Sequence, residues 1–319
     1  MEKIRLALLS GGVSSERQVS LDSGRQVFEA LDKNRYRVTM YDPATDIPKL
    51  VNDAGKIDAA LIILHGPFGE DGTIQGLLDL LDIPYQGAGV LGSAMAMNKL
   101  AAKRIYEKAG IPTPEYISIG SGETIDYSDA AKTLGLPMMI KPACAGSSVG
   151  MTIARNVQDI GPAVRKAFDH DEYVIMEKYI SGREFTCGVL GNDEVQPLPV
   201  IEIIPGENHE FFDYNAKYVH GETNEICPAQ IDEALAHKIQ HLAVKAHKSL
   251  FIKGYSRTDM ILSNGELSVL ETNTIPGMTS TSLYPQSAQA AGYSFTALLD
   301  RLIDLAIENH EKCKLRRSI

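Results

Sequence analysis

Short apolar runs, broken by glycine-rich or polar turns, divide the first third of the chain. Arg5-Leu6-Ala7-Leu8-Leu9, Arg37-Val38-Thr39-Met40-Tyr41 and Ala59-Ala60-Leu61-Ile62-Ile63-Leu64 have the length and content of strands. A helix opens at Glu16 between the first two, with Val19, Phe28 and Leu31 among its apolar positions. Alternation of strand, helix and strand predicts a parallel sheet, with functional groups beyond the strand ends at Leu9 and Leu64. Further on, residues 93–99 begin a helix carrying Lys99 and Lys103, which Gly110-Ile111-Pro112-Thr113-Pro114 closes as a domain boundary. Residues 135–142 form a strand finishing in Lys141, and 173–180 a strand whose end carries Glu177 and Lys178. Residues 185–190, 198–203 and a hairpin over 257–271 supply a further antiparallel sheet.

The hairpin holds the densest chemistry. Leu267-Ser268-Val269-Leu270 delivers Glu271 and Asn273, two oxygen-bearing side chains on one face of a strand. Arg257-Thr258-Asp259-Met260-Ile261-Leu262 is the partner strand, and Ser263-Asn264-Gly265 the turn. A two-residue loop at Asn264-Gly265 would put Asp259 and Glu271 on opposite faces. A three-residue loop pairs Leu262 with Glu266, sets Arg257 opposite Glu271, and gathers Asp259, Glu271 and Asn273 on one face. Such hard oxygen donors suit Mg²⁺, so a metal wall here predicts the three-residue loop. The alternative is an ordinary edge hairpin with solvated charges.

Composition narrows the classes. The 319 residues allow two or three domains, and 44% hydrophobic with 23% charged residues is ordinary for a globular protein. No window reaches the run of about 18 apolar residues that a membrane helix needs. Met1-Glu2-Lys3-Ile4-Arg5 enters a strand without the apolar stretch of a signal peptide. Cys144, Cys187, Cys227 and Cys313 show no paired spacing, so reduced thiols in a cytoplasmic protein are expected. A net charge of −10 argues against nucleic-acid binding, and a polyphosphate ligand would need locally concentrated lysines.

Several loops point to such a ligand. Ala145-Gly146-Ser147-Ser148-Val149-Gly150 follows Lys141-Pro142 and resembles a phosphate cradle, although no Gly-Lys-Ser/Thr makes it a P-loop. Gly11-Gly12 lacks the spacing of a dinucleotide fingerprint, which disfavours a NAD oxidoreductase. His65 opens the loop Gly66-Pro67-Phe68-Gly69-Glu70-Asp71-Gly72, where His65 and Glu70 taken alone read as a loop residue and a helix cap. Phe211 to Tyr218 is dense in aromatics and charge, as an ordered active-site loop would be.

Together these residues resemble the D-alanine–D-alanine ligases, ATP-grasp enzymes of bacterial wall synthesis. His65-Gly66 with Gly69-Glu70-Asp71-Gly72, the segment 141–150, Phe212-Asp213-Tyr214 with Lys217-Tyr218, and 271–279 followed by Ser282-Leu283 carry the resemblance, in the family's order. Ala145 departs from it, where many relatives carry a glutamate or glutamine. The resemblance implies a mixed α/β ATP-grasp fold behind an N-terminal parallel-sheet domain, divided as 1–98, 99–183 and 184–319. It implies an ATP-dependent ligase that phosphorylates one D-alanine carboxylate and joins it to the amine of a second. It also implies a cytoplasmic homodimer with small-molecule partners, and two Mg²⁺ ions for which Mn²⁺ can substitute.

The implied roles follow residue by residue. Asp259, Glu271 and Asn273 hold the metals; Lys99, Lys141 and Lys217 line the triphosphate; Ser148, Glu177, Lys178, Ile180 and Glu184 complete the nucleotide site. Arg257 steadies the transferring phosphoryl group and the oxyanion. Glu16 takes the first substrate's ammonium beside His65, while Gly277, Ser282 and Leu283 receive the second substrate. Ser147 and Tyr218 join Glu16 in a hydroxyl network, and the Ser147 and Lys217 loops close over the reaction. Tyr218 accompanies amine nucleophiles in the family. A D-lactate- or D-serine-using ligase, or a non-catalytic nucleotide-binding regulator on the same fold, are the rivals.

Overall fold

The structure, a computed structural model, describes residues 2–144, 146, 149–206 and 223–317. Three sheets follow one another along the chain. β1 (Ile4–Ser10), β2 (Tyr36–Tyr41) and β3 (Ala59–Ile63) form a parallel sheet in the order β2-β1-β3. Both its faces are covered, which is why β1 and β3 read as continuous apolar runs. Leu6, Leu8, Leu61 and Ile63 pack toward α1 (Arg17–Ala30) and the C-terminal helix α10 (Phe295–Arg317). Ala7, Leu9, Ala60 and Ile62 pack toward α2 (Ile47–Asp53) and α3 (Thr73–Leu80). Among the described residues no helix is long and apolar enough to cross a membrane.

The helix expected from Ser93 onward is two helices, α4 (Gly89–Met97) and α5 (Lys99–Ala109). Asn98 takes an extended backbone between them, and its side chain accepts the Ala101 N–H at 2.9 Å. A good cap residue therefore starts a new helix, which periodicity alone does not reveal.

The second sheet is antiparallel, in the order β4 (Tyr116–Gly120), β7 (Tyr173–Lys178), β5 (Met138–Pro142), β6 (Thr152–Ala154). Met138, Ile140, Val174 and Met176 pack against α6 (Tyr127–Leu134) and α7 (Val157–Phe168). Alternation then turns Met139, Lys141, Ile175 and Glu177 to the other face.

The third sheet runs β11 (Thr223–Ile226), β10 (Ile201–Pro205), β8 (Arg183–Gly191), β12 (Tyr255–Ser263), β13 (Glu266–Asn273), with β9 (Val195–Pro197) beside β8. Of the strand expected over 198–203 only residues 201–203 fall in β10; Leu198, Pro199 and Val200 link it to β9, and Pro199 has no N–H to give a ladder. One face of this sheet (Phe185, Cys187, Met260, Val269) packs on α4, α5 and α8 (Glu233–Ser249).

The hairpin departs from its expected register. Ser263 pairs with Glu266, so the loop is the two-residue Asn264-Gly265, with φ of 51° and 82°. Two positive φ values match a type I′ turn, whose twist suits a hairpin. Arg257 accordingly faces Asn273 rather than Glu271. Yet Asp259 pairs with Glu271, because the register shifts between Asp259 and Met260. Met260 pairs with Val269, leaving Leu270 as the extra residue of a β-bulge. The bulge restores the parity that the short loop had removed.

Candidate active site

The polar faces of the second and third sheets meet across a cleft of about 440 Å³, closed at one end by the N-terminal sheet's loops. Each described residue to which the resemblance gives a site role lines it: Glu16, His65, Lys99, Lys141, Glu177, Lys178, Ile180, Glu184, Arg257, Asp259, Glu271, Asn273, Gly277, Ser282 and Leu283. Ser147, Ser148, Lys217 and Tyr218, with Ala145 and the aromatic loop, lie outside the described residues.

Parity of the third sheet builds one wall. Asp259 accepts two hydrogen bonds from Arg257, at 2.9 and 2.8 Å, one from Thr186 Oγ1 at 2.5 Å and one from Asn273 Nδ2 at 3.0 Å. Lys99 Nζ, from the first residue of α5, stands 3.5 Å from Glu271 Oε2. Two carboxylates and a carboxamide thus share one face, countered by one arginine and one lysine. Among the described residues no group of three or more His, Cys, Asp or Glu side chains could hold a metal ion alone.

The second sheet gives the opposite wall. Glu177, 4% exposed, lies 3.0 Å from Lys141 Nζ and 2.8 Å from Lys103 Nζ. Burial alone would raise the Glu177 carboxyl, but Lys141 and Lys103 outweigh it and hold it below its ordinary value. Burial draws the Lys103 ammonium down to about 8, against the pull of Glu177. Lys178 turns outward to Glu115 at 3.7 Å.

The third wall comes from the loops after β1 and β3. Glu16 is 5% exposed at the N-cap of α1. A Cβ on either Gly66 or Gly146 would stand 2.9 Å from its Oε2, so glycine is what lets both backbones approach that carboxylate. His65 is buried, and its Nε2 has no hydrogen-bond partner among the described residues. Burial holds the His65 imidazole below its ordinary pKa, against the pull of Glu16, so it stands neutral at physiological pH. Glu70 accepts the Gly66 N–H at 2.7 Å. Low-dielectric surroundings, then the Glu16 carboxylate, push Glu70 up to about 8. At the far end, Ser282 Oγ accepts the Thr279 N–H at 3.2 Å and bonds Thr279 Oγ1 at 2.7 Å, a hook folded over Gly277.

Three contributors escaped the sequence reading. Thr186 reaches Asp259 because the two pair across β8 and β12, which no local pattern reveals. Glu70 reads locally as a cap but faces the Glu16 carboxylate. Lys103 carries a signal, since it lies one helical turn from Lys99.

The chain's relatives agree with this geometry. Residues 42–88 match the family profile described as D-ala D-ala ligase N-terminus, and 105–304 match D-ala D-ala ligase C-terminus. The D-alanine–D-alanine ligase of Syntrophobacter fumaroxidans is 58% identical over 308 residues, 97% of this chain and 99% of that one. Its counterpart in Desulfotalea psychrophila is 52% identical over 309 residues, 96% of each chain. A crystal structure of the D-alanine–D-alanine ligase of Bacillus anthracis superposes with a TM-score of 0.87 at 38% identity, covering 97% of this chain and 99% of that one. The same enzyme complexed with ATP gives 0.86 at 34% identity over the same shares. With both family profiles matched and a full-length relative at 58% identity, this chain, an ATP-grasp fold behind a parallel N-terminal sheet, belongs to the D-alanine–D-alanine ligase family.

Proposed function

We propose that this protein is an ATP-dependent ligase that joins two D-alanine molecules into D-alanyl-D-alanine for peptidoglycan synthesis. The carrying observation is that two sheets turn a lysine–glutamate wall and an arginine–carboxylate wall toward one cleft, with a buried glutamate and histidine at its end. A carboxylate of the first D-alanine attacks the γ-phosphorus, forming an acyl phosphate and ADP. The amine of the second then attacks the acyl carbon, phosphate leaves, and the amine's protons pass to solvent.

The first step brings anion to anion and the second builds an oxyanion, so fixed positive charge is the main requirement. Lys99, Lys141 and Lys217 supply it along the triphosphate, and Arg257 meets the transferring phosphoryl group and then the oxyanion. Asp259, Glu271 and Asn273 fit Mg²⁺, or Mn²⁺ in its place, because all three offer hard oxygens on one face. When bound, two such ions would neutralise charge between the β- and γ-phosphates. Glu177, with Lys178, Ile180, Glu184 and Ser148, takes the adenosine and phosphate edges. Glu16 receives the first ammonium beside neutral His65; Ser282 at the N-terminus of α9 (Leu283–Ala290), with Gly277 and Leu283, receives the second carboxylate. Ser147 and Tyr218 complete the hydroxyl network that favours an amine over D-lactate. Segments 1–98, 99–183 and 184–319 act as three domains of a cytoplasmic homodimer, as in the family this chain resembles.

The test is product analysis by mass after mixing MgATP with D-alanine, D-serine and D-lactate, with ADP release followed in parallel. D-alanyl-D-alanine as the main product is expected. A depsipeptide or mixed dipeptide as the main product, or ADP release that ignores D-alanine, overturns the proposal. Light scattering at micromolar concentration reads the dimer.

A further inference from the structure

Helix α5 sends three side chains from one face to three different parts of the cleft. Lys99, Lys103 and Tyr106 lie at i, i+4 and i+7, one stripe of a helix. Lys99 faces Glu271 on the metal strand, at 3.5 Å. Lys103 faces Glu177 at the end of β7, at 2.8 Å. Tyr106 donates its hydroxyl to Thr272 Oγ1 at 2.8 Å, and Thr272 bonds Thr258 at 3.1 Å behind Asp259. These are the two walls of the nucleotide site, carried by two separate sheets with no strand pairing between them among the described residues.

Lys103 is fixed on every side. It is 1% exposed and donates to Thr113 Oγ1 at 2.7 Å and to the Pro114 carbonyl at 3.0 Å. Its ammonium also lies 4.9 Å from the centre of the Tyr116 ring. A buried lysine is costly, and this one is held where it touches no expected substrate group. What it does touch is Glu177, whose Oε2 lies 2.8 Å from Lys103 Nζ and 3.0 Å from Lys141 Nζ at the cleft wall. Two lysines therefore hold that carboxylate ionised and aimed, while Oε1, which takes Lys141 at 3.0 Å, keeps a second lone pair able to accept.

We infer that Lys103 and Tyr106 are positioning residues through which α5 sets the base-reading Glu177 and the metal-binding strand at a fixed separation. Lys103 acts on the base and Tyr106 on the phosphates. This rests on the proposed adenine role of Glu177: an ionised carboxylate accepts from a 6-amino group and repels a 6-oxo group.

The test reads nucleotide binding directly, by calorimetry with MgADP and MgIDP, so it does not depend on ligation. Lys103→Met is expected to weaken ADP about tenfold, the scale of one charge-assisted hydrogen bond, and to leave IDP nearly unchanged. The ADP preference then falls about tenfold. Tyr106→Phe is expected to weaken both nucleotides alike, about threefold, the scale of one neutral hydrogen bond. A Lys103→Met protein with parental ADP affinity, or with ADP and IDP weakened equally, overturns the inference, as does a Tyr106→Phe protein that binds as the parent does. Should Lys103→Met not fold, Lys103→Gln decides by the same ratio. A parent that binds ADP and IDP equally would instead sink the adenine role of Glu177, which separates that failure from this one.

Discussion

Asp259 and Glu271 share one proposed role, yet their surroundings predict different consequences when each loses its charge. Asp259 is paired bidentately with Arg257, both side chains being nearly buried at 13% and 12% exposure. At 2.8 Å and an effective dielectric constant of about 20, that attraction is roughly 6 kcal/mol before desolvation is charged against it. Asp259→Asn takes from the guanidinium its bidentate carboxylate partner, and breaking a buried pair in this way costs about 3–5 kcal/mol. Thr186 and Asn273, which also donate to Asp259, lose acceptor strength in the same variant. Glu271 is 25% exposed and stands 3.5 Å from Lys99, so Glu271→Gln costs less than about 1 kcal/mol of stability. For catalysis the two should be equivalent. Each variant is expected to lower D-alanine-dependent ADP release by at least about a thousandfold, or 4 kcal/mol of barrier. A coupled ADP assay at saturating D-alanine, repeated over a Mg²⁺ titration, measures the rate. Thermal unfolding should separate the variants, with Asp259→Asn lower by about 5 °C and Glu271→Gln close to the parent. Near-parental turnover by Glu271→Gln at ordinary Mg²⁺ refutes the metal assignment. Equal stability of the two variants refutes the charge argument.

Three further outcomes are expected. Asp42 bonds Arg17 twice, at 3.0 and 2.5 Å, and the Gly12 N–H at 2.9 Å; the Arg17 hydrogen bonds lower its pKa from 3.8 to about 2. A lowered carboxyl stabilises the fold above its unfolded pKa, so Asp42→Asn should cost about 2 kcal/mol at pH 7. That difference should vanish in urea unfolding as pH falls from 3.8 through 2; a pH-independent difference contradicts it. Glu70 has the opposite sign: raised from 4.5 to about 8, it keeps its proton on folding, so its contribution is lost as pH rises across that interval. Glu70→Gln should flatten the thermal-midpoint profile between those values, and a profile that stays parallel to the parent's contradicts the shift. Gly182→Ala would place Cβ 2.1 Å from the Leu262 carbonyl oxygen. Prying β8 from β12 there should cost about 2 kcal/mol or more, and an unchanged melting temperature speaks against that contact.

Local chemistry in the sequence determined much of this protein. Runs such as Leu6–Leu9 and 59–64, alternating with a helix between them, announced a parallel sheet. The glycine- and acid-rich loop after His65, and carboxylates on a strand end, marked the site because such chemistry needs those side chains wherever they sit. Tertiary structure decided what depends on partners. The turn at Asn264-Gly265 is two residues, as its own φ preferences favour, and the bulge at Leu270 then returned Glu271 to the face of Asp259. A bulge is settled by what packs on each face of a sheet: Val269 and Met260 are both fully buried on the far side. Nor could spacing show that Lys103 would meet Glu177, since the pair forms only when α5 packs across β7. Short-range rules name the side chains that a strand or turn presents; which of them meet is fixed by burial, summed over elements far apart in the chain.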